Sequence, residues 1–393
     1  MGLIESPAHL RSFFAFPEPE SFDQTFSKVC GFQRRSLGRL RRGETPFTAL
    51  FFLLAFSFGP SFPKEKAAND LSNAFVRAIN KKINFGGNIR GIMINRCSAC
   101  PRGCAVDRSS SVGFCGASDK ISVSRIALHE WEEPVISGTR GSGTIFFSGC
   151  NLRCVFCQNR AISASGSAFE KARVYTPEEL VRAMQRLEEA GAHNINLVTP
   201  THFARELVGV LGEARKRISI PIVYNSSGYE SVESLRALSG LVDVYMPDLK
   251  YFSGELSGKY SAAPDYFEIA SAALREMFLQ VGETVVGDGL MKRGMIVRHL
   301  VLPGCRKDSM AILDELARIL PTEKIKLSLM RQFTPDFVDA EKYPELSRRI
   351  TTFEYNSVLT HASALGFDGY IQSAESATSA YTPNFNCDDA FSV

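Results

Sequence analysis

The sequence has almost no excess of charge of either sign. Its 45 Lys and Arg stand against 42 Asp and Glu, a formal net of +3. Such balance lacks the basic footprint of a nucleic-acid or anionic-membrane binder, so neither is expected as the main partner. An apolar run long enough to cross a bilayer, which takes about 20 residues, is also missing. The most apolar stretch, Phe47 to Phe58, has 12. No internal repeat is evident. Nor are the cysteines spread along the chain as in a secreted disulfide scaffold. Ten are present, but seven fall between Cys97 and Cys157 in two tight groups. Clustering inside a long chain favours metal ligation and a reducing compartment, here expected to be the cytoplasm.

The 393 residues, 45% apolar and 22% charged, suffice for two or three domains or for one α/β barrel with additions. The first 90 residues read differently from the rest. A basic stretch from Arg34 to Arg42 precedes the apolar run. That pattern is like a signal h-region, and the arginine pair is like a twin-arginine export signal, but the run starts too deep for an ordinary leader. Three readings stand: a membrane anchor, a targeting segment, or upstream sequence that is poorly ordered or absent from the mature protein. Membrane association is expected only through this extension.

From residue 144 onward apolar strands alternate with helices. Strands are predicted at 144–149, 195–200, 221–224, 242–246, 296–302 and 325–330. Helices are predicted at 176–191, 204–217, 230–239, 264–281, 306–319 and 343–365. Thr176, Pro177 and Glu179 make a capping box with proline in the first helical turn. Continuous apolar strands separated by helices mean a parallel sheet covered by helices, either a partial barrel or an open doubly wound sheet. In both, the site lies just beyond the carboxyl ends of the strands.

The first strand runs into Gly149-Cys150-Asn151-Leu152-Arg153-Cys154-Val155-Phe156-Cys157-Gln158-Asn159, a C-x3-C-x2-C spacing. Three thiolates on one loop suit three corners of a four-iron cubane, whereas an electron-transfer cluster of the ordinary kind uses four. The open iron is then free for a substrate group such as a bidentate amino-carboxylate, as at any catalytic metal site. A buried cysteine cluster or a zinc site is the plainer reading. Zinc wants a fourth ligand nearby, and the loop offers none.

This segment resembles the radical S-adenosylmethionine (SAM) superfamily motif. Cys157-Gln158-Asn159 and the stretch from Cys97-Ser98-Ala99-Cys100-Pro101-Arg102 through Gly141-Ser142-Gly143-Thr144 resemble the pyruvate formate-lyase activating enzyme-related family over residues 95 to 370. The resemblance implies an α/β fold, a partial (β/α)6 barrel, with a [4Fe-4S] cluster on Cys150, Cys154 and Cys157. It implies reductive cleavage of SAM and hydrogen abstraction by the 5'-deoxyadenosyl radical, an oxidoreductase activity fed by a one-electron donor such as a flavodoxin or ferredoxin. The substrate is expected to be a glycine of a partner enzyme. The alternatives are a small molecule or peptide, or a non-catalytic iron–sulfur carrier. The domains expected are an extension (1–90), a Cys-rich metal-binding segment (91–135), the barrel (136–370) and a tail (371–393).

The same resemblance assigns cofactor contacts. Phe156 falls where an aromatic lies near the adenine, and Asn159 matches an asparagine near SAM. Thr199, Pro200 and Thr201 stand in place of a Gly-Gly-Glu that meets the SAM amine, so carbonyls or hydroxyls must replace the carboxylate. Asn225-Ser226-Ser227-Gly228 and Met246-Pro247-Asp248-Leu249-Lys250 match two loops that hold a monovalent cation, with Asn225 in an aspartate's position. Asp248 and Lys250 read equally as a structural ion pair. Arg298 matches an arginine that meets the SAM carboxylate or ribose, and Gln332 occupies a histidine's place near the ribose. His202 and His299 are either substrate contacts or satisfied structural histidines. Cys305 is expected to be structural, and Arg108 and Arg125 are candidate lid groups.

Upstream, Cys97, Cys100, Cys104 and Cys115 lie among turn residues. Four thiolates suit a closed zinc site or an ordinary cubane, disulfides being the alternative. A second iron–sulfur cluster is the favoured expectation.

Overall fold

The computed structural model describes residues 2–4, 96–163, 166–378, 383 and 385. The basic and apolar stretches at 34–58, and most of the expected tail, lie outside the described residues. The described residues contain eleven strands: β1 (Gly2–Ile4), β2 (Ile121–His129), β3 (Ser142–Phe147), β4 (Arg173–Tyr175), β5 (Ile195–Val198), β6 (Ile222–Ser226), β7 (Val244–Pro247), β8 (Val285–Gly287), β9 (Leu290–Leu300), β10 (Lys326–Met330) and β11 (Gly369–Ile371). The crossover helices are α1 (Pro177–Glu189), α2 (Ala204–Ala214), α3 (Val232–Ala237), α4 (Gly254–Ser261), α5 (Tyr266–Val281), α6 (Arg306–Ile319) and α7 (Thr352–Ala364).

The sheet runs β1-β11-β10-β9-β7-β6-β5-β3-β2-β4, with β8 folded back on β9. From β3 through β11 every neighbouring pair is parallel. All residues of β3, β5, β6 and β7 are buried, as strands covered on both faces must be. Helix α1 shows the expected logic. Thr176 accepts from the Glu179 amide, Glu179 returns a bond to the Thr176 amide, and Leu180, Val181, Met184 and Leu187 are buried on one side.

The sheet curves, because its first and sixth parallel strands end close together. Gln158, beyond β3, donates to the Gln332 carbonyl at 3.1 Å, and Gln332, beyond β10, donates back to the Gln158 side chain at 3.3 Å. Gln372, beyond β11, donates to the Gln332 side chain at 2.9 Å. A chain of amides thus joins the two ends of the parallel series, and the fold is the expected α/β partial barrel.

The structure adds elements the periodicity does not reveal. β2 pairs antiparallel with β3 and brings the Cys-rich segment onto the sheet. The helix expected from 343 begins only at Thr352. A short turn at Pro344–Leu346 precedes it, since Pro344 disfavours a helical Tyr343 and Thr351 with Glu354 caps the later start. Among the described residues no helix is long and apolar enough to cross a membrane.

Candidate functional site

The loop after β3 departs at Gly149, whose φ is +85°. A Cβ there would stand 2.4 Å from the Cys115 carbonyl oxygen, so only glycine permits both the turn and the approach. Two backbone bonds pin the loop to the end of α4: Arg153 N–H to Ser261 O at 3.2 Å, and Val155 N–H to Tyr260 O at 2.9 Å. Buried Asn151 donates to the Tyr229 carbonyl at 2.7 Å. From the other side, the ring Nε2 of buried His202 donates to the Ser148 carbonyl at 2.7 Å.

Cys150, Cys154 and Cys157 are free thiols on the wall of one cavity of about 240 Å3. Polar hydrogens reach their sulfurs. Leu152 N–H lies 3.4 Å from Cys150 Sγ, and Ser261 Oγ donates to Cys154 Sγ at 3.0 Å. Ser163 Oγ lies 3.3 Å from Cys157 Sγ. Burial first, and the neighbouring Cys154 second, push the Cys150 thiol up to about 12. Burial raises Cys154 as well, against the pull of Lys250. Thiols so placed become ligands by losing their protons to a metal. Among the described residues no other cysteine lines the cavity. Among the described residues no three His, Cys, Asp or Glu side chains gather closely enough for one metal ion. Three thiols not gathered on one point, with no fourth thiol among the described residues, fit a polynuclear cluster with an open corner better than a lone zinc.

The cavity also collects Phe156, Asn159, Thr199, Asn225, Ser226, Asp248, Lys250, Arg298 and Gln332. They come from the cysteine loop and from the ends of β5, β6, β7, β9 and β10. Phe156 packs edge-on against Phe333 with ring centres 6.0 Å apart. Thr199 holds a φ of +58°, a conformation costing a β-branched residue roughly 1–2 kcal/mol. Its amide donates to the Asn225 carbonyl at 2.9 Å. Pro200 and Thr201 do not reach the cavity. Thr201 is fully buried and donates to Glu230 Oε1 at 2.5 Å. Burial holds that carboxyl up at about 7, despite bonds from Thr201, Ser226 and Tyr224 that pull it down.

Asp248 accepts from the Lys250 ammonium. Burial alone would depress Lys250, but Asp248 and the Cys154 side chain outweigh it and keep it raised. Asn225 turns its amide to Glu132 Oε1 at 3.3 Å, and Asn196 donates to the same oxygen at 2.9 Å. Arg298 lies between Glu132 at 3.2 Å and Glu133 at 3.3 Å. Burial opposes its charge, yet the two carboxylates more than compensate and hold it fully protonated. Glu132 lines the cavity and is 7% exposed; Glu133 is 1% exposed. The sequence reading missed both, because they precede the barrel and Arg298 is 166 residues from Glu132.

His299 and His202 lie outside the cavity lining. His299 bonds the Leu249 carbonyl at 2.7 Å and Ser309 Oγ at 2.9 Å. Burial depresses both rings to about 4, so they are neutral structural groups. Cys305 lies just before α6, is likewise outside the lining, and is pushed up to about 11 by burial.

Residues 144–290 match the Radical SAM superfamily. A relative from Methanocaldococcus jannaschii, described only as an uncharacterized protein, is 31% identical over 310 residues, which is 76% of this chain and 82% of the relative. Among solved structures, a domain of the pyruvate-formate lyase-activating enzyme from Bacteroides vulgatus overlaps 44% of this chain and 92% of its own. It has a TM-score of 0.33 at 11% identity. Methylornithine synthase overlaps 56% of this chain and 68% of its own, with a TM-score of 0.39 at 15% identity. Neither overlap is close enough to carry an activity across. The motif, its place beyond the first parallel strand and the matched segment agree: the chain belongs to the radical SAM superfamily and is an enzyme of that kind, whose family implies a [4Fe-4S] cluster and SAM.

Proposed function

We propose that this chain is an activase-type radical SAM enzyme that takes a hydrogen atom from a glycine of a partner enzyme. The observation that carries the chemistry is a cavity holding three thiols of one loop and, among the described residues, no fourth. When bound and reduced, the cluster supplies the electron that splits SAM into methionine and the 5'-deoxyadenosyl radical, which abstracts the hydrogen.

The chain's own residues hold and orient. Cys150, Cys154 and Cys157 hold the cluster. Phe156 offers a flat apolar face for the adenine, with Gln332 and Asn159 as amide partners for the nucleoside. Thr199 and Ser226 accept from the SAM ammonium through carbonyl or hydroxyl oxygen. Arg298 is held in place by Glu132 and Glu133, and its guanidinium N–H groups are the candidate donors to the SAM carboxylate or ribose. Asp248 and Asn225 remain the candidates for a monovalent cation, although Lys250 and Glu132 already engage them. A flavodoxin- or ferredoxin-type protein is the expected electron source.

A second reading, hydrogen abstraction from a small molecule, draws on Glu132. A buried carboxylate in the cavity wall gives a polar metabolite an anchor that a backbone glycine does not need. The test is anaerobic, cluster-loaded protein mixed with SAM and dithionite. Formation of 5'-deoxyadenosine only under reduction is expected, and its absence sinks the radical chemistry. Deuterium transfer from candidate substrates into 5'-deoxyadenosine then separates a protein glycine from a small amine or acid.

A further inference from the structure

Among the described residues, four cysteines besides Cys305 lie outside the cavity. Cys97, Cys100, Cys104 and Cys115 are all free and lie on a segment folded tightly on itself. Cys97 exchanges backbone bonds with both ends of the next turn, donating to Val106 O at 2.8 Å and accepting from Ala105 N at 3.0 Å. Gly103 and Ala105 hold φ values of +50° and +54° to make that turn.

Backbone amides are aimed at the sulfurs. Phe114 N–H meets Cys104 Sγ at 3.2 Å, and Ala117 N–H meets Cys115 Sγ at 3.5 Å. Amide donors on sulfur favour the thiolate over the thiol. Cys104 and Cys115 flank Gly113: the place its Cβ would take is 3.3 Å from one sulfur and 3.9 Å from the other. Guanidinium groups and carboxylates both lie about the group: Glu206 pairs with Arg108 at 3.5 Å, and Glu230 acts on Cys100. Arg102 and Arg153 stack on the Phe114 ring at 4.0 and 4.3 Å. Arg108, 6% exposed, is the cation acting on Cys115.

Free cysteines that merely fill space behave as small hydrophobes. That role needs neither amide donors nor buried guanidinium groups. Metal-bound thiolates do use amide donors, which orient and tune them. A single zinc draws its sulfurs to about 2.3 Å from one point, and no three such side chains among the described residues are gathered for one ion. A cluster places inorganic sulfide and iron between its thiolates and holds them further apart.

The geometry points to a second iron–sulfur cluster on Cys97, Cys100, Cys104 and Cys115, docked directly on the radical-generating loop. The docking contacts are specific. The Cys115 carbonyl packs on Gly149, Arg102 Nε donates to Asn151 O at 2.7 Å, and Arg153 donates to Phe114 O. With all four positions taken by protein, this centre has no open iron for SAM and exchanges single electrons. Cys97 and Cys104 are only half-buried, so the segment keeps one side toward solvent. An external low-potential donor loses one electron there. The electron passes across the shared contacts to the catalytic loop, and no atom is transferred. This role rests on the radical SAM reading; the site itself does not.

The test is full-length protein with Cys150, Cys154 and Cys157 all changed to Ala, reconstituted anaerobically with iron and sulfide. About four irons with equal sulfide per chain are expected to remain, against about eight in the parent. Their Mössbauer or EPR signal should be unmoved by SAM. The reciprocal Cys100→Ser/Cys115→Ser chain should keep about four irons whose signal does respond to SAM. Zinc without sulfide, or no metal at all, in a triple variant whose circular dichroism matches the parent overturns the proposal. A second site that survives while 5'-deoxyadenosine never forms instead leaves the cluster standing and removes the catalytic reading.

Discussion

Cys150, Cys154 and Cys157 hang from the end of a parallel strand and look into a cavity. Cys97, Cys100, Cys104 and Cys115 sit on turns ahead of the barrel, outside that cavity. The first group has three sulfurs and leaves a ligand position to be filled by something else. The second has four and leaves none. What separates them is the number of donors and what lies opposite. The triad lines a cavity that also holds Arg298, Asp248 and Lys250, whereas the upstream group lies outside it beside Phe114, whose amide meets Cys104 and whose ring carries Arg102 and Arg153. The same residue type is thus set up for chemistry in one place and for closure in the other.

The sharpest way to break this contrast is to remove one sulfur from each group. Cys154→Ser should abolish SAM cleavage by more than about 1000-fold, since loss of even an outer-shell partner commonly costs 10- to 100-fold. Cys100→Ser should leave the SAM-responsive signal in place. If both variants lose that signal equally, with folding intact, the two groups form one functional unit.

Next comes the contact between them. Gly149→Ala forces a side chain onto the Cys115 carbonyl at a positive φ. Backbone strain and overpacking together should cost roughly 4 kcal/mol, read as a fall in the denaturation midpoint of the metal-free protein.

His202 sharpens the comparison by pH. It bonds Ser148 on the triad side, and its carbonyl accepts from Arg108 on the upstream side at 2.6 Å. Its folded-state value of about 4 lies below the ordinary 6.5. As pH falls below 6.5 the unfolded chain takes up the proton first. Stability is therefore full above that value and is lost progressively down to pH 4, by roughly 3 kcal/mol for this ring. His202→Gln should start less stable but show a shallower decline between pH 6.5 and 4; an unchanged slope would mean the ring is not held neutral. Half-buried His129, lowered by burial and by Arg298, and buried His299 are depressed as well and add to the decline.

The smallest effect is expected at Gly113→Ala. Its new methyl group meets Cys104 Sγ at 3.3 Å, a contact the flexible sulfur can ease. About 1 kcal/mol in stability is expected, with a change in the iron signal of the upstream group and none in the catalytic one.

The triad was legible because its three ligands are contiguous and follow an apolar run whose strand character is plain. The barrel strands were legible for the same reason, being buried on both faces. β2 was not, since the alternation of Ile121-Ser122-Val123-Ser124 breaks at Arg125, where its pairing with β3 shifts register, and it lies among turn signals. Glu132 and Glu133 were invisible as partners of Arg298, because nothing local in the chain records a contact across so many residues. Glu230 escaped notice similarly: its neighbour Thr201 is on the preceding crossover, and only the packed structure shows the carboxyl fully enclosed. Thr199 was read as a substitute for glycine by position, but its left-handed backbone emerges only from the fold.

The amide chain of Gln158, Gln332 and Gln372 carries a consequence for the open side of the barrel. Each of these groups both gives and receives hydrogen bonds, and none titrates. Acid, base and added salt therefore leave the closure untouched, unlike an arginine–carboxylate latch in the same place. What can compete is another amide, and every peptide bond is one. The flank between Gln158 and Gln372 is joined by neutral groups alone.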